Sequence, residues 1–187
     1  MMRIISGDFK GKKIFLPNDK NTRPLRDLVK ESIFNLLDHS KKFKFEFSQS
    51  NILDLFSGTG SFGLECISRG SKNVTFVENY VDVLKVLKKN ISYLKFEKKS
   101  KIIEKNCFDY LESANILYNK YDLIFMDPPF KEMEINKLII LIKEKKLLKE
   151  KGILIIHRHK KDNIEINKNM NIFEERNYGI SKIIIGN

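Results

Sequence analysis

The chain has 187 residues, 42% hydrophobic and 32% charged, enough for one domain with its own core and too balanced for a disordered segment. No apolar run approaches the roughly 20 residues of a membrane span, no secretory leader is recognisable, and Cys66 and Cys107 form neither a C-x-x-C pair nor a disulfide framework; a cytoplasmic protein without membrane contact is expected. A net charge of +11 favours an anionic partner such as nucleic acid, although 29 lysines against 6 arginines, with 25 isoleucines and 17 asparagines, also match the bias of an A/T-rich genome. In chain order, Arg3-Ile4-Ile5 and Lys13-Ile14-Phe15-Leu16 are short β-prone runs around a Gly7…Gly11 connection, and predict a hairpin. Thr22-Arg23-Pro24 opens a helix whose Val29, Ile33, Leu36 and Leu37 form one apolar stripe, with Arg23, Arg26 and Lys30 off it. Residues 1–44 carry 11 basic and 5 acidic side chains, so this end is expected to face nucleic acid.

From residue 51 strands and helices alternate. Strands are predicted over Asn51–Phe56, Asn73–Glu78, Lys101–Glu104, Tyr121–Met126 and Gly152–His157. Helices are predicted over Ser61–Arg69, Val81–Leu94, Phe108–Ser113 and Met133–Lys149. Phe173–Arg176 and Ile180–Ile185 flank Tyr178-Gly179 as a closing hairpin. The rhythm implies an α/β fold: a mostly parallel seven-stranded sheet, covered on both faces, with a terminal antiparallel hairpin. This order resembles the Rossmann-like architecture of class I methyltransferases, enzymes that use S-adenosylmethionine (SAM). One domain over residues 1–187 is expected, a basic extension at 1–44 preceding a catalytic core at 51–187.

Two motifs carry chemistry. In Asp54-Leu55-Phe56-Ser57-Gly58-Thr59-Gly60-Ser61-Phe62-Gly63 the glycines let backbone amides approach a ligand, and Glu78 closes the next strand, where a carboxylate can accept from a ribose diol. Gly58, Gly60 and Gly63 spell G-x-G-x-x-G, a pattern shared with dinucleotide sites. Asp54 separates the two readings: it would repel a pyrophosphate but attract the ammonium of SAM. Asp127-Pro128-Pro129-Phe130 follows a buried strand, so it faces the same crevice. Its prolines stiffen the loop and leave carbonyls to aim at a ligand. Asp127 and the Pro128 carbonyl suit the N–H groups of a base's exocyclic amine, and Phe130 offers a ring on which an extruded base stacks. His157-Arg158-His159 lacks the carboxylate or cysteine spacing of a metal site, and no metal is expected.

These motifs resemble amino-methyltransferases with an (N/D)PP(Y/F/W) loop. The flanks Arg3-Ile4-Ile5-Ser6-Gly7, Lys10-Gly11-Lys12-Lys13, Arg23-Pro24, Glu31–Leu37 and Leu64–Gly70 resemble the RsmD family, bacterial enzymes that methylate the N2 amine of a guanine in small-subunit ribosomal RNA. The resemblance implies that Asp54, Ser57, Gly58 and Gly60 line the methionine end of SAM and that Glu78 holds the ribose. It puts Asn106 and Cys107 beside the adenine, with Asp109 a weaker candidate. Asp127, Pro128 and Phe130 act on the target amine and base, and Arg3, Lys10, Lys12, Arg23 and Arg26 hold RNA. The implied partner is 16S rRNA or a small-subunit assembly particle, and a monomer is expected. Leu25 and Arg26 stand where the family usually has threonines, and Ser6 where it has glycine. Rival readings are a DNA adenine-N6 methyltransferase, a SAM-binding RNA assembly factor without activity, and a nicotinamide-linked oxidoreductase.

Overall fold

A computed structural model describes residues 2–17, 25–113, 120–162, 165–166 and 168–187. Its frame is a seven-stranded sheet built from β3 (Asn51–Leu55), β4 (Asn73–Glu78), β5 (Ser100–Glu104), β6 (Tyr121–Met126), β7 (Leu148–His159), β8 (Ile172–Tyr178) and β9 (Ser181–Gly186). The spatial order is β5-β4-β3-β6-β7-β9-β8, in which β5 through β7 are parallel and β9 and β8 run antiparallel. The fold class expected from the alternating pattern is therefore the one observed.

Alternation along each strand divides the core in two. Ile52, Val74, Phe76, Leu123, Phe125, Ile153 and Ile155 face α2 (Ser61–Ser68), α3 (Val81–Leu94) and α1 (Asp27–His39). Leu53, Leu55, Val77, Ile124, Met126, Leu154 and Ile156 face α4 (Cys107–Glu112) and α5 (Ile135–Glu144). Every residue of α2 is buried, because the N-terminal segment lies across its outer side.

That segment forms the expected antiparallel hairpin, but a shorter one. Its strands shrink to β1 (Met2–Arg3) and β2 (Lys13–Ile14), because neighbouring amides are used elsewhere. Ile5 and Ser6 donate to the Glu65 carboxylate at 2.7 and 2.8 Å, and Phe15 donates to Asn90 Oδ1 at 2.8 Å. Gly7 is needed at this seam, since a Cβ there would sit 1.9 Å from the Ser68 carbonyl oxygen. Asn90 is fully buried and also donates to Phe15 O and Thr59 O, tying the extension to the glycine loop.

Helix α1 starts at Asp27, with Arg26 extended before it; the expected start at residues 22–24 lies outside the described residues. Lys30 is on the buried side, not off the stripe. Its Nζ donates to Arg3 O at 2.7 Å and lies 3.8 Å from Glu65 and 3.9 Å from Asp27. Val81, although apolar, is exposed at the first turn of α3. Helix α5 is shorter than expected because Lys146 turns left-handed (φ 50°), while Lys146 N–H and Leu147 N–H return to Lys143 O and Ile142 O. This is a Schellman ending with lysine where glycine is usual, and it frees Leu148 to start β7 four residues before Gly152.

Candidate active site

Strand order reverses between β3 and β6, the place where open α/β sheets bind ligands. Leu55 is paired with Met126, so the glycine loop and Asp127 leave adjacent strand ends. Both line one cavity of about 500 Å³, with Asp54, Ser57, Gly58, Glu78, Asn106, Asp127 and Pro128 on its wall.

The glycine loop is held from below. Phe56, at φ 56°, adopts a conformation that costs a non-glycine residue about 1–2 kcal/mol. Its N–H donates to Cys107 Sγ at 3.3 Å. Ser57 N–H donates to Val77 O, and Gly60 N–H closes the turn on Ser57 O at 2.8 Å. Gly60 caps α2 at φ 83°, where a Cβ would lie 2.5 Å from Leu87 Cδ1.

Two carboxylates frame the loop. Glu78 Oε2 accepts from Gly58 N at 2.9 Å, and Oε1 accepts from Asn79 N and Tyr80 N, also at 2.9 Å. Backbone thus fixes the carboxylate and occupies Oε1, leaving Oε2 as the better acceptor for a ligand hydroxyl. Asp54 is 1% exposed. Its Oδ2 accepts from Gly63 N at 3.0 Å, while its Oδ1, with Ser57 Oγ and Ser61 Oγ, is buried and has no partner among the described residues. Burial above all drives the Asp54 carboxyl well above the usual range; the Gly63 amide pulls it back, and Asp127 and Glu78 push it further up.

The Asp-Pro-Pro-Phe loop is held by β7. Arg158, 1% exposed, donates to Pro129 O at 3.0 Å, Phe130 O at 3.1 Å and Glu132 O at 2.8 Å, and pairs with Asp162. The Pro129 and Phe130 carbonyls are therefore held by protein, whereas the Pro128 carbonyl, the one expected to meet a ligand amine, is not among those Arg158 holds. His157 Nδ1 lies 2.7 Å from Asp127 Oδ1. The Phe130 ring stands edge-on to His157 and His159, with centroids 5.8 and 5.1 Å away.

Not all expected site residues reach the cavity. Asn106 lines it and caps α4, its Oδ1 accepting from Phe108 N at 2.8 Å. Cys107 departs from the expectation: it is buried behind the wall, holding Phe56 with its sulfur. Burial keeps its thiol protonated, well above the usual range. Gly60 and Phe130 do not border the cavity, and Asp109 is set away from it. Arg3, Lys10, Lys12 and Arg26 are exposed, and Arg23 lies outside the described residues. Leu25, marked in the sequence only as a departure from the family pattern, lines the cavity, and Asn79, Tyr80 and Glu132 line it unannounced by any motif. Their only signal is adjacency to a strand end, a helix start or the proline pair.

The wall suits a cationic ligand with a diol and a flat apolar part. It offers four carboxylates (Asp54, Glu78, Asp127 and Glu132), two buried hydroxyls without partners among the described residues, and an apolar side made by Leu25, Phe62, Val83 and Phe125. A pyrophosphate would meet Asp54, Glu78 and Asp127 together, which argues against a nicotinamide dinucleotide. SAM fits this donor set.

The family described as Conserved hypothetical protein 95 matches residues 2–187. The chain is 36% identical to Ribosomal RNA small subunit methyltransferase D of Buchnera aphidicola over 92% of this chain and 86% of that one. It is 33% identical to the protein of the same name from Haemophilus influenzae over 96% and 90%. A solved structure of a Haemophilus influenzae protein superposes with a TM-score of 0.78 at 30% identity, covering 99% of this chain and 97% of that one. With these matches and a SAM-type cavity at the sheet's switch point, the chain belongs to the RsmD family of SAM-dependent methyltransferases.

Proposed function

We propose that the protein methylates the exocyclic N2 amine of a guanine in 16S rRNA, acting in the cytoplasm as a monomer on the RNA or on a small-subunit assembly particle. The observation that carries this reading is that Asp54, Glu78 and Asp127 line one cavity at adjoining strand ends. The substrate class is supported by relatives named as small-subunit rRNA methyltransferases.

SAM bound here supplies a methyl group on a sulfonium with a neutral thioether as leaving group. Asp54 and the Ser57 hydroxyl receive the ammonium of its methionine part, and the loop at Gly58 and Gly60 shapes the backbone around it. Glu78 Oε2 accepts from a ribose hydroxyl, and Asn106 Nδ2 donates to the adenine edge. Asp127 and the Pro128 carbonyl accept from the two N–H bonds of the target amine. That amine is a poor nucleophile, because its lone pair is delocalised into the ring. Turning both N–H bonds toward fixed acceptors favours the pyramidal geometry of attack and points the lone pair at the methyl carbon. The surplus proton of the methylated amine would pass to the Asp127 carboxylate and then to solvent. Phe130, braced by His157 and His159, stacks against the extruded base. Arg3, Lys10, Lys12, Arg23 and Arg26 hold the RNA backbone.

Nucleoside mass spectrometry tests the reading. Unmodified small-subunit particles, naked 16S rRNA and duplex DNA are each incubated with SAM and the protein, then digested. N2-methylguanosine at one position of 16S rRNA is expected; N6-methyladenine in DNA, or no transfer to RNA in either form, would overturn it.

A further inference from the structure

Sequence reasoning gives His157 no part in the chemistry, yet the sheet places it beside the proposed catalytic carboxylate. Met126 of β6 is in register with Ile156 of β7, so the next residue on each parallel strand, Asp127 and His157, emerges side by side. His157 Nδ1 is 2.7 Å from Asp127 Oδ1, with the two side chains 2% and 12% exposed. Its Nε2 is buried with no partner among the described residues.

We infer that His157 is a positioning residue for methyl transfer: it carries a proton on Nδ1 and donates it to Asp127, fixing the rotation of that carboxylate at the cavity wall. The inference rests on Asp127 acting on the target amine. An ionised carboxylate only accepts hydrogen bonds. A neutral imidazole protonated on Nε2 would therefore set two acceptors face to face at 2.7 Å and bury an N–H that has no acceptor among the described residues. Protonation at Nδ1 makes the short contact a hydrogen bond and leaves only a bare lone pair at Nε2, the smaller penalty. Fixation matters because the terminal torsion of aspartate is broad, and Asp127 follows the strand end on a loop. Arg158, the next residue, holds the same loop through the Pro129, Phe130 and Glu132 carbonyls, so the backbone and the carboxylate are set by one strand.

Two measurements test this. Long-range ¹H–¹⁵N correlation spectra of the folded protein, with and without S-adenosylhomocysteine, read the protonation of each imidazole nitrogen, and His157→Asn assigns the signals among the three histidines. A proton on His157 Nδ1 is expected, and a bare Nδ1 overturns the inference whether or not rRNA proves to be the substrate. In transfer assays, His157→Phe removes the donor and His157→Asn returns an N–H near the position of Nδ1. Misplacement of a reacting group by about 1 Å can cost about 100-fold, so His157→Phe is expected to lower kcat roughly 10- to 100-fold. KM and SAM affinity should stay near wild type, and His157→Asn should recover most of kcat. Wild-type kcat in His157→Phe, or equal loss in both variants, overturns the inference. Absence of rRNA methylation by the wild-type protein would instead strike the functional reading, leaving the tautomer to decide the role of His157.

Discussion

Asp54 illustrates how a single carboxyl links cofactor and stability. It is buried, half satisfied by the Gly63 amide, and close enough to Asp127 and Glu78 to be raised by both. Its folded pKa lies above the unfolded value, so the ligand-free protein binds a proton there that the unfolded chain releases. That contribution is complete below the unfolded pKa of about 4 and is lost as pH rises through the folded pKa. An ammonium group beside Asp54 would restore the ionised form, so SAM should bind with proton release. Asp54→Asn is expected to remove this loss: in thermal melts without ligand, the variant gains on wild type as pH rises from about 4, while its SAM affinity falls in calorimetry. Parallel melting curves at every pH would show that Asp54 does not carry this linkage.

At the scale of elements, what is legible in the sequence is what local chemistry announces. Strand periodicity gives away the parallel sheet, and the runs Asp54–Gly63 and Asp127–Phe130 mark two loops that do meet at adjacent strand ends. Three features are hidden, each for a physical reason. Lys146 ends α5 in a conformation normally signalled by glycine, so the helix reads too long. Glu65 and Asn90 serve as side-chain partners for the amides of Ile5, Ser6 and Phe15, so the hairpin reads as a longer ladder than it is. His157 and Arg158 act on residues about 30 positions away across a parallel strand pair, and no sequence spacing reports cross-strand register. Cys107 misleads for the opposite reason: it borders Asn106 in sequence, but the first turn of α4 points it at Phe56 rather than at the cavity.

Across the whole molecule, the basic extension does two jobs at once. Its apolar residues Ile4, Ile14, Leu25, Val29 and Ile33 belong to the core, while Arg3, Lys10, Lys12, Lys13 and Arg26 stay exposed. Lys30 is withdrawn from that face: burial lowers its pKa, and Glu65 and Asp27 oppose the shift. Replacing Lys10, Lys12 and Lys13 with alanine should weaken RNA binding and flatten its salt dependence by up to about 0.7–0.9 in log–log slope for each phosphate that is no longer neutralised; an unaltered slope would make them a solvated face that RNA does not touch. The central claim, that SAM and the target amine meet across Asp127, is tested most directly by Asp127→Ala, with methyl transfer to unmodified small-subunit particles and SAM affinity measured on the same preparation. Transfer should vanish while SAM still binds with near wild-type affinity; undiminished transfer would contradict the account.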